Sequence, residues 1–170
     1  MDFPFESVDR YTFEIGEALR IPRESIPLLV AITAARTQTD TGIVTDVIGT
    51  AGVKVKLGTQ EQAIYYIGSA GIEPQHPFHA QAVAAHRALV AGKKVRVVYD
   101  VVRQNSAGQT LAYVYLPDEN DDLANAKIIG DGLGALGNFE GNNTQRMYFE
   151  NLGFIAKQSK KGMWAAEAAK

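Results

Sequence analysis

The chain has 170 residues, of which 46% are hydrophobic and 21% charged, with a formal net charge of -2 and no cysteine. That composition belongs to an ordinary globular protein with one main domain, large enough for a self-sufficient core. It excludes disulfide frameworks, thiolate nucleophiles and cysteine-ligated zinc or iron-sulfur centres. Near-balanced charge also argues against strong nonspecific polyanion binding, which draws on clustered Lys and Arg.

Residues 1–41 read as an N-terminal helical extension. Ile15, Ala18 and Leu19 share a helical face, and a second run opens at Ser25-Ile26-Pro27, with serine as cap and proline in the first turn. Thr37 to Gly42 break that pattern and make the junction to a main domain spanning 42–170. The extension suits a packing cover for a sheet edge better than a docking arm for a partner or a second copy. Its longest apolar run, Ile26 to Ala35, is far shorter than the ~20 residues that span a bilayer. Asp2, Glu6, Asp9, Glu14, Glu17 and Glu24 contradict the positive start of a secretory signal, which favours a cytoplasmic location.

From Ile43 the apolar period becomes two. IVTDVIG, VKVKL and AIYYIGSA form a three-strand meander in which Lys54 and Lys56 share the solvated face and Val53, Val55 and Leu57 the other. His76-Pro77 then precedes a helix with Phe78, Ala82, Ala85 and Leu89 at helical spacing and Gly92 as its stop. Lys93 to Asp118 read as a long hairpin whose short polar loop is built around Asn105, Ser106 and Gly108, ending at Leu116-Pro117 because proline cannot donate to a ladder. A short helix follows, with Leu123, Ala126 and Ile129 on one side and Asp118, Glu119, Asp121 and Asp122 near its N-terminus, where capping explains the acids better than calcium does. The last element, Thr144 to about Trp164, carries Met147, Phe149, Phe154, Ile155 and Trp164 as an apolar stripe, with Lys157, Lys160 and Lys161 near its end. Five strands with a helix between the third and fourth give an α+β chain built on an OB-fold, a five-stranded Greek-key barrel with three helices.

Two weaker signals carry less. His79 and His86 lie two turns apart on one helix, but no carboxylate stands at matching spacing, so exposed or capping histidines explain them better than a metal does. Gly132 to Gly137 spells GxGxxG, yet it follows a helix, whereas a dinucleotide loop follows a strand and opens a helix.

With the elements placed, the ordered strings HPFHAQAVAAHRALVAGKKVRVVYD, AGQTLAYVYLPD, NAKIIGDGL and KKGMW closely resemble the staphylococcal-nuclease-like, or thermonuclease, family from about Ile43 to Trp164. The resemblance implies an OB barrel with three helices and, in active members, calcium-dependent phosphodiester hydrolysis. It also assigns positions. Where active members read DGDTV, this chain reads AGVKV, so Val53 stands in place of a calcium-ligating aspartate. In IYYIGSAGIEP, Tyr65 stands for an arginine and Ala70 for a second calcium aspartate, while Glu73 matches the acid that activates water. Gln109, before Thr110-Leu111-Ala112-Tyr113, stands for the second arginine.

Hydrolysis in such a site needs a hard cation held by carboxylates and guanidinium groups on the developing charge. The expectation is therefore a catalytically degenerate thermonuclease-like domain that binds nucleic acid or protein without hydrolysis and needs no cofactor. Its binding residues are Tyr65, Tyr66, Gln109, Tyr113, Tyr115, Lys93 and Lys94, with tyrosines stacking on bases where exposed and every second one buried by strand alternation. Lys157, Lys160, Lys161 and Arg96 are the other cations able to meet phosphate. The alternative is a metal-dependent phosphodiesterase that uses Glu73, with calcium on displaced ligands such as Asp46, Asp100 or Asp118.

Overall fold

The computed structural model describes residues 38–167, and the readings for the segment before Gln38 lie outside the described residues. Strand β1 (Thr39–Ile48) takes in residues assigned above to the junction, because Thr39 to Ile43 pair antiparallel with Val98 to Lys94. Strands β2 (Gly52–Leu57) and β3 (Gln60–Tyr66) complete the meander. As the alternation predicts, Val53 and Val55 are wholly buried while Lys54 and Lys56 face solvent.

A register shift between Val44 and Asp46 bends β1, so that its first half pairs with β5 (Lys94–Val98) and its second half with β2. The bend brings backbones close. A Cβ on Gly42 would lie 2.4 Å from the Lys56 carbonyl oxygen, a spacing that only glycine tolerates. Strand β6 (Thr110–Leu116) pairs antiparallel with β5 and parallel with β3, closing the five-strand barrel β3-β2-β1-β5-β6. Short strand β4 (Ser69–Ala70) pairs with β8 (Ala135–Leu136), and β7 (Asp122–Leu123) extends the sheet beyond β6.

Helix α1 (His79–Val90) buries Ala82, His86 and Val90, a row at i, i+4 and i+8 that packs against the barrel. Helix α2 (Ala124–Gly130) packs on β6, sending Ala124 and Ile128 into the barrel core and Ala126 and Ile129 to a second one, and α3 (Arg146–Gln158) packs on α2, followed by α4 (Met163–Glu167). Two cores result. Val44, Val53, Val55, Ile64, Val95, Val97, Ala112 and Val114 fill the barrel, while Ile67, Leu111, Tyr113, Ile129, Phe139 and Phe149 fill the space between β6 and the helices. Strand β6 is sandwiched between them, which is why its only half-buried apolar side chain is Tyr115. Phe149 is fully enclosed, a burial that contributes on the order of 1.5–3 kcal/mol.

Four expectations are corrected. The hairpin is not continuous: β5 ends at Val98, and residues 99–109 make an excursion before β6. Asn142 clasps that excursion, its Oδ1 accepting from Val102 N at 2.7 Å and its Nδ2 donating to Val102 O at 2.9 Å. The acids near α2 do not cap it, since Leu123 holds the N-cap position and no side chain caps the helix. Left-handed backbone at Asn120 and Asp121 turns the chain instead, and Glu119, Asp121 and Asp122 pair with Lys93, Arg96 and Lys127. On α3 the inward row is Phe149, Leu152, Gly153 and Ala156, whereas Met147, Phe154 and Ile155 point outward. His86 is buried rather than exposed.

Candidate functional site

The positions where the family resemblance places metal aspartates, Val53 and Ala70, lie in β2 just after the β1–β2 turn and at the end of β4. The turn is short and tightly held. Ala51 N donates to Ile48 O at 3.0 Å, and Gly49 takes the left-handed conformation with φ of 53°. Thr50 is buried, and its Oγ1 accepts from Ile72 N at 3.0 Å, tying the turn to the loop that ends at Glu73. A Cβ on Gly71 would stand 3.1 Å from the Ala51 Cβ, so the two segments touch.

Helix α1 locks the same turn from behind. His86 Nδ1 lies 2.7 Å from Gly49 O, and a carbonyl can only accept, so Nδ1 carries the proton. In the neutral ring Nε2 is then an acceptor for the Tyr66 hydroxyl at 2.9 Å. Desolvation is the main cause that lowers the His86 pKa, with Arg87 adding to it against the raising effect of the Gly49 bond. Burial pushes the Tyr66 phenol far up.

Val53 is wholly enclosed in the barrel core, offering methyl groups where the resemblance expects a ligand. Ala70 is half-buried, opposite Ala135 in the β4–β8 bridge. Glu73 is exposed at the start of a turn in which its carbonyl accepts from His76 N at 3.0 Å.

The parallel pairing of Ile64 with Thr110 and Tyr65 with Leu111 brings the two expected arginine positions to one barrel seam. Tyr65 is half-buried against the outer core. Gln109 is fixed by Asn105, whose Oδ1 accepts from Gln109 N at 3.0 Å and whose Nδ2 donates to Gln109 Oε1 at 2.8 Å.

The stacking expectation is corrected for two tyrosines. Tyr66 and Tyr113 keep only 3% and 2% of their surface exposed, so neither offers a ring face to a base. The Tyr113 hydroxyl donates to Asp100 Oδ2 at 3.3 Å and its ring meets Phe149 edge-on, while desolvation raises its pKa. Tyr115 is half-buried beneath the Arg96 guanidinium, 4.4 Å from the ring centroid, and Arg96 itself pairs with Asp121. Lys93 is engaged by Glu119, while Lys94 is exposed.

The acids proposed as displaced ligands stand apart in their contacts. Asp46 pairs with Arg87 at 2.8 Å, and its pKa is lowered chiefly by the Val47 N–H and then by Arg87. Asp100 accepts from Val101 N, Thr144 Oγ1 and Tyr113, and Asp118 lies exposed in the turn after β6. His76 Nδ1 accepts from Phe78 N at 3.1 Å. Among the described residues, no three His, Asp or Glu side chains gather closely enough to hold a metal ion. No described helix is long and apolar enough to cross a membrane.

Sequence reasoning missed the His86–Tyr66 pair, although His86 falls between Ala82 and Val90 on the inward row of α1. It also missed the clasp of Asn142 on Val102, which no local signal announces because the partners are 40 residues apart. A family model described as staphylococcal nuclease homologue matches residues 32–166. No curated protein matches the chain.

Proposed function

The chain belongs to the staphylococcal nuclease homologue family, and from that premise we propose that it is a binding module that has kept the nuclease-family barrel without its hydrolysis. The observation that carries this reading is Val53, an apolar side chain sealed in the barrel core at the position the family resemblance gives to a metal-ligating aspartate. Ala70 supplies no second carboxylate, and neither Tyr65 nor Gln109 can make the bidentate contact by which a guanidinium steadies a phosphoryl transition state. Removing one such donor commonly costs on the order of 10²-fold in rate, and Glu73 alone replaces none of them.

A protein is the favoured partner over single-stranded nucleic acid. Two of the four tyrosines are buried and a third lies under Arg96, while Lys93 and Arg96 are already neutralised by acids. Hydrolysis of single-stranded DNA, assayed with calcium, magnesium and manganese in turn, tests the reading. The expected result is none above background. Metal-dependent cleavage that disappears in Glu73→Gln would establish the phosphodiesterase alternative instead.

A further inference from the structure

Helix α3 has apolar side chains on both sides. Its outward Met147 and Phe154 are 80% and 64% exposed, and Leu136 on the neighbouring β8 is 40% exposed. Phe154 and Leu136 line a recess of about 220 Å³ with Ile129, Gly153, Lys157 and Trp164. Gly153 presents no side chain to it, and a concavity walled by Leu, Ile and Phe suits a single bulky apolar group.

The rim of this recess carries uncompensated positive charge. Lys157, which lines the recess, has its Nζ 4.5 Å from the Trp164 ring centroid, and neither it nor Lys160, three residues further along the chain, pairs with a carboxylate among the described residues. Glu150, the acid at the recess, is already held by Arg146 at 2.9 Å. An apolar pocket with an unpaired cation at its edge, and a second one three residues on, is complementary to an apolar side chain flanked by acids. A phosphate backbone would find a single rim rather than a basic stripe, and a bilayer is met by protruding groups rather than by a recess.

We propose that this recess docks an acidic peptide segment of a partner protein, with one bulky apolar side chain against Leu136 and Phe154 and its carboxylates on Lys157 and Lys160. The inference rests on the protein-binding reading for the class of partner, but not on the state of the barrel's hydrolytic positions.

Trp164 is the only tryptophan in the chain, so its emission reports on the recess directly. The full chain is titrated with a short synthetic peptide carrying Leu and Phe among Glu residues. Three further titrations use its counterpart with Lys for Glu, a single-stranded oligonucleotide, and phosphatidylcholine vesicles containing phosphatidylserine. A saturable, salt-sensitive emission change is expected with the acidic peptide alone. It should weaken at least about tenfold in Lys157→Glu/Lys160→Glu and in Leu136→Ser/Phe154→Ser. All four substitutions sit on exposed side chains, so circular dichroism and the melting temperature should stay unchanged.

An equal response to the basic peptide, no response to the acidic one, or tighter binding to the oligonucleotide or the vesicles would overturn the proposal. So would a concentration-dependent dimer lost in Leu136→Ser/Phe154→Ser, which would make the occupant a second copy. Cleavage of DNA dependent on Glu73 would remove the proposed absence of hydrolysis while leaving the peptide result standing.

Discussion

The buried His86 ring holds the Gly49 carbonyl through Nδ1 at 2.7 Å and takes a hydrogen bond from Tyr66 through Nε2 at 2.9 Å. One neutral imidazole thereby joins α1, the turn after β1 and the end of β3. Both of its nitrogens are committed.

Protonating that ring would put two donors where the core offers one acceptor and a hydroxyl oriented to donate, beside the Arg87 charge. The folded-state pKa of His86 is lowered, so the unfolded chain binds the proton more readily. The stabilisation is therefore fully present above the unfolded pKa of about 6.5 and is lost as pH falls below it. Urea midpoints measured from about pH 8 to about pH 5 should decline, with a slope approaching one proton. His86→Phe should flatten that decline and lower stability at neutral pH by about 1–3 kcal/mol, since the Gly49 carbonyl loses its partner. A wild-type midpoint that stays level over this range would refute the assignment. Asp46, with its lowered pKa, acts in a separate and more acid window.

Asn125 on α2 closes the barrel where strand pairing runs out. Its Oδ1 accepts from Val114 N at 2.9 Å, and its Nδ2 donates to Ile67 O and Ala112 O, each at 3.1 Å. Asn125→Leu keeps the volume and leaves three buried backbone groups without this partner, a loss of about 3 kcal/mol or more. Asn125→Asp should be at least as damaging, because it sets a carboxylate oxygen against two carbonyls. Chemical denaturation of the two variants checks this, and an Asp variant as stable as the wild type would show that the clasp does not matter.

The barrel was legible because its strands announce themselves. Period-two runs such as Val53, Val55 and Leu57, punctuated by Gly52 and Gly58, fix strand number and order before any pairing is known. The excursion at 99–109 was hidden because Tyr99, Val101 and Val102 have strand propensity, and what draws them off the ladder is Asn142, far along the chain. Helix α3 shows a different limit: periodicity separates Phe149 from Met147 and Phe154 but does not say which row meets a neighbour. At the candidate site, the resemblance of short strings points to Val53, Ala70, Tyr65 and Gln109 as the positions to compare. The β3–β6 seam that unites Tyr65 with Gln109, and the depth of Val53 in the core, are products of tertiary pairing.

Two glycines of the meander should respond very differently to alanine. A Cβ on Gly52 would lie 2.2 Å from Ile64 O and 3.0 Å from Tyr65 Cα, and these backbone atoms cannot give way. Gly52→Ala is therefore expected to destabilise by about 3 kcal/mol or more through overpacking at the strand pair. Gly58 has φ of 61° and nothing within 4 Å of a Cβ, so its alanine variant carries only the left-handed backbone strain, about 1–2 kcal/mol. Equal melting temperatures for the two variants would contradict the close approach of β2 to β3.

Placing guanidinium groups at the two expected arginine positions should not by itself confer hydrolysis. Tyr65→Arg/Gln109→Arg changes two half-buried positions at one seam, and the added charge should strengthen single-stranded DNA binding at low salt. Calcium-dependent cleavage should stay at background, because Val53 and Ala70 still offer no carboxylate to hold the cation. Adding Val53→Asp places an unpaired carboxylate in the barrel core, where desolvation should cost about 3–5 kcal/mol and lower the melting temperature sharply. Cleavage that appears in the double variant would mean that arginines at these positions, rather than a carboxylate at position 53, are what hydrolysis requires here.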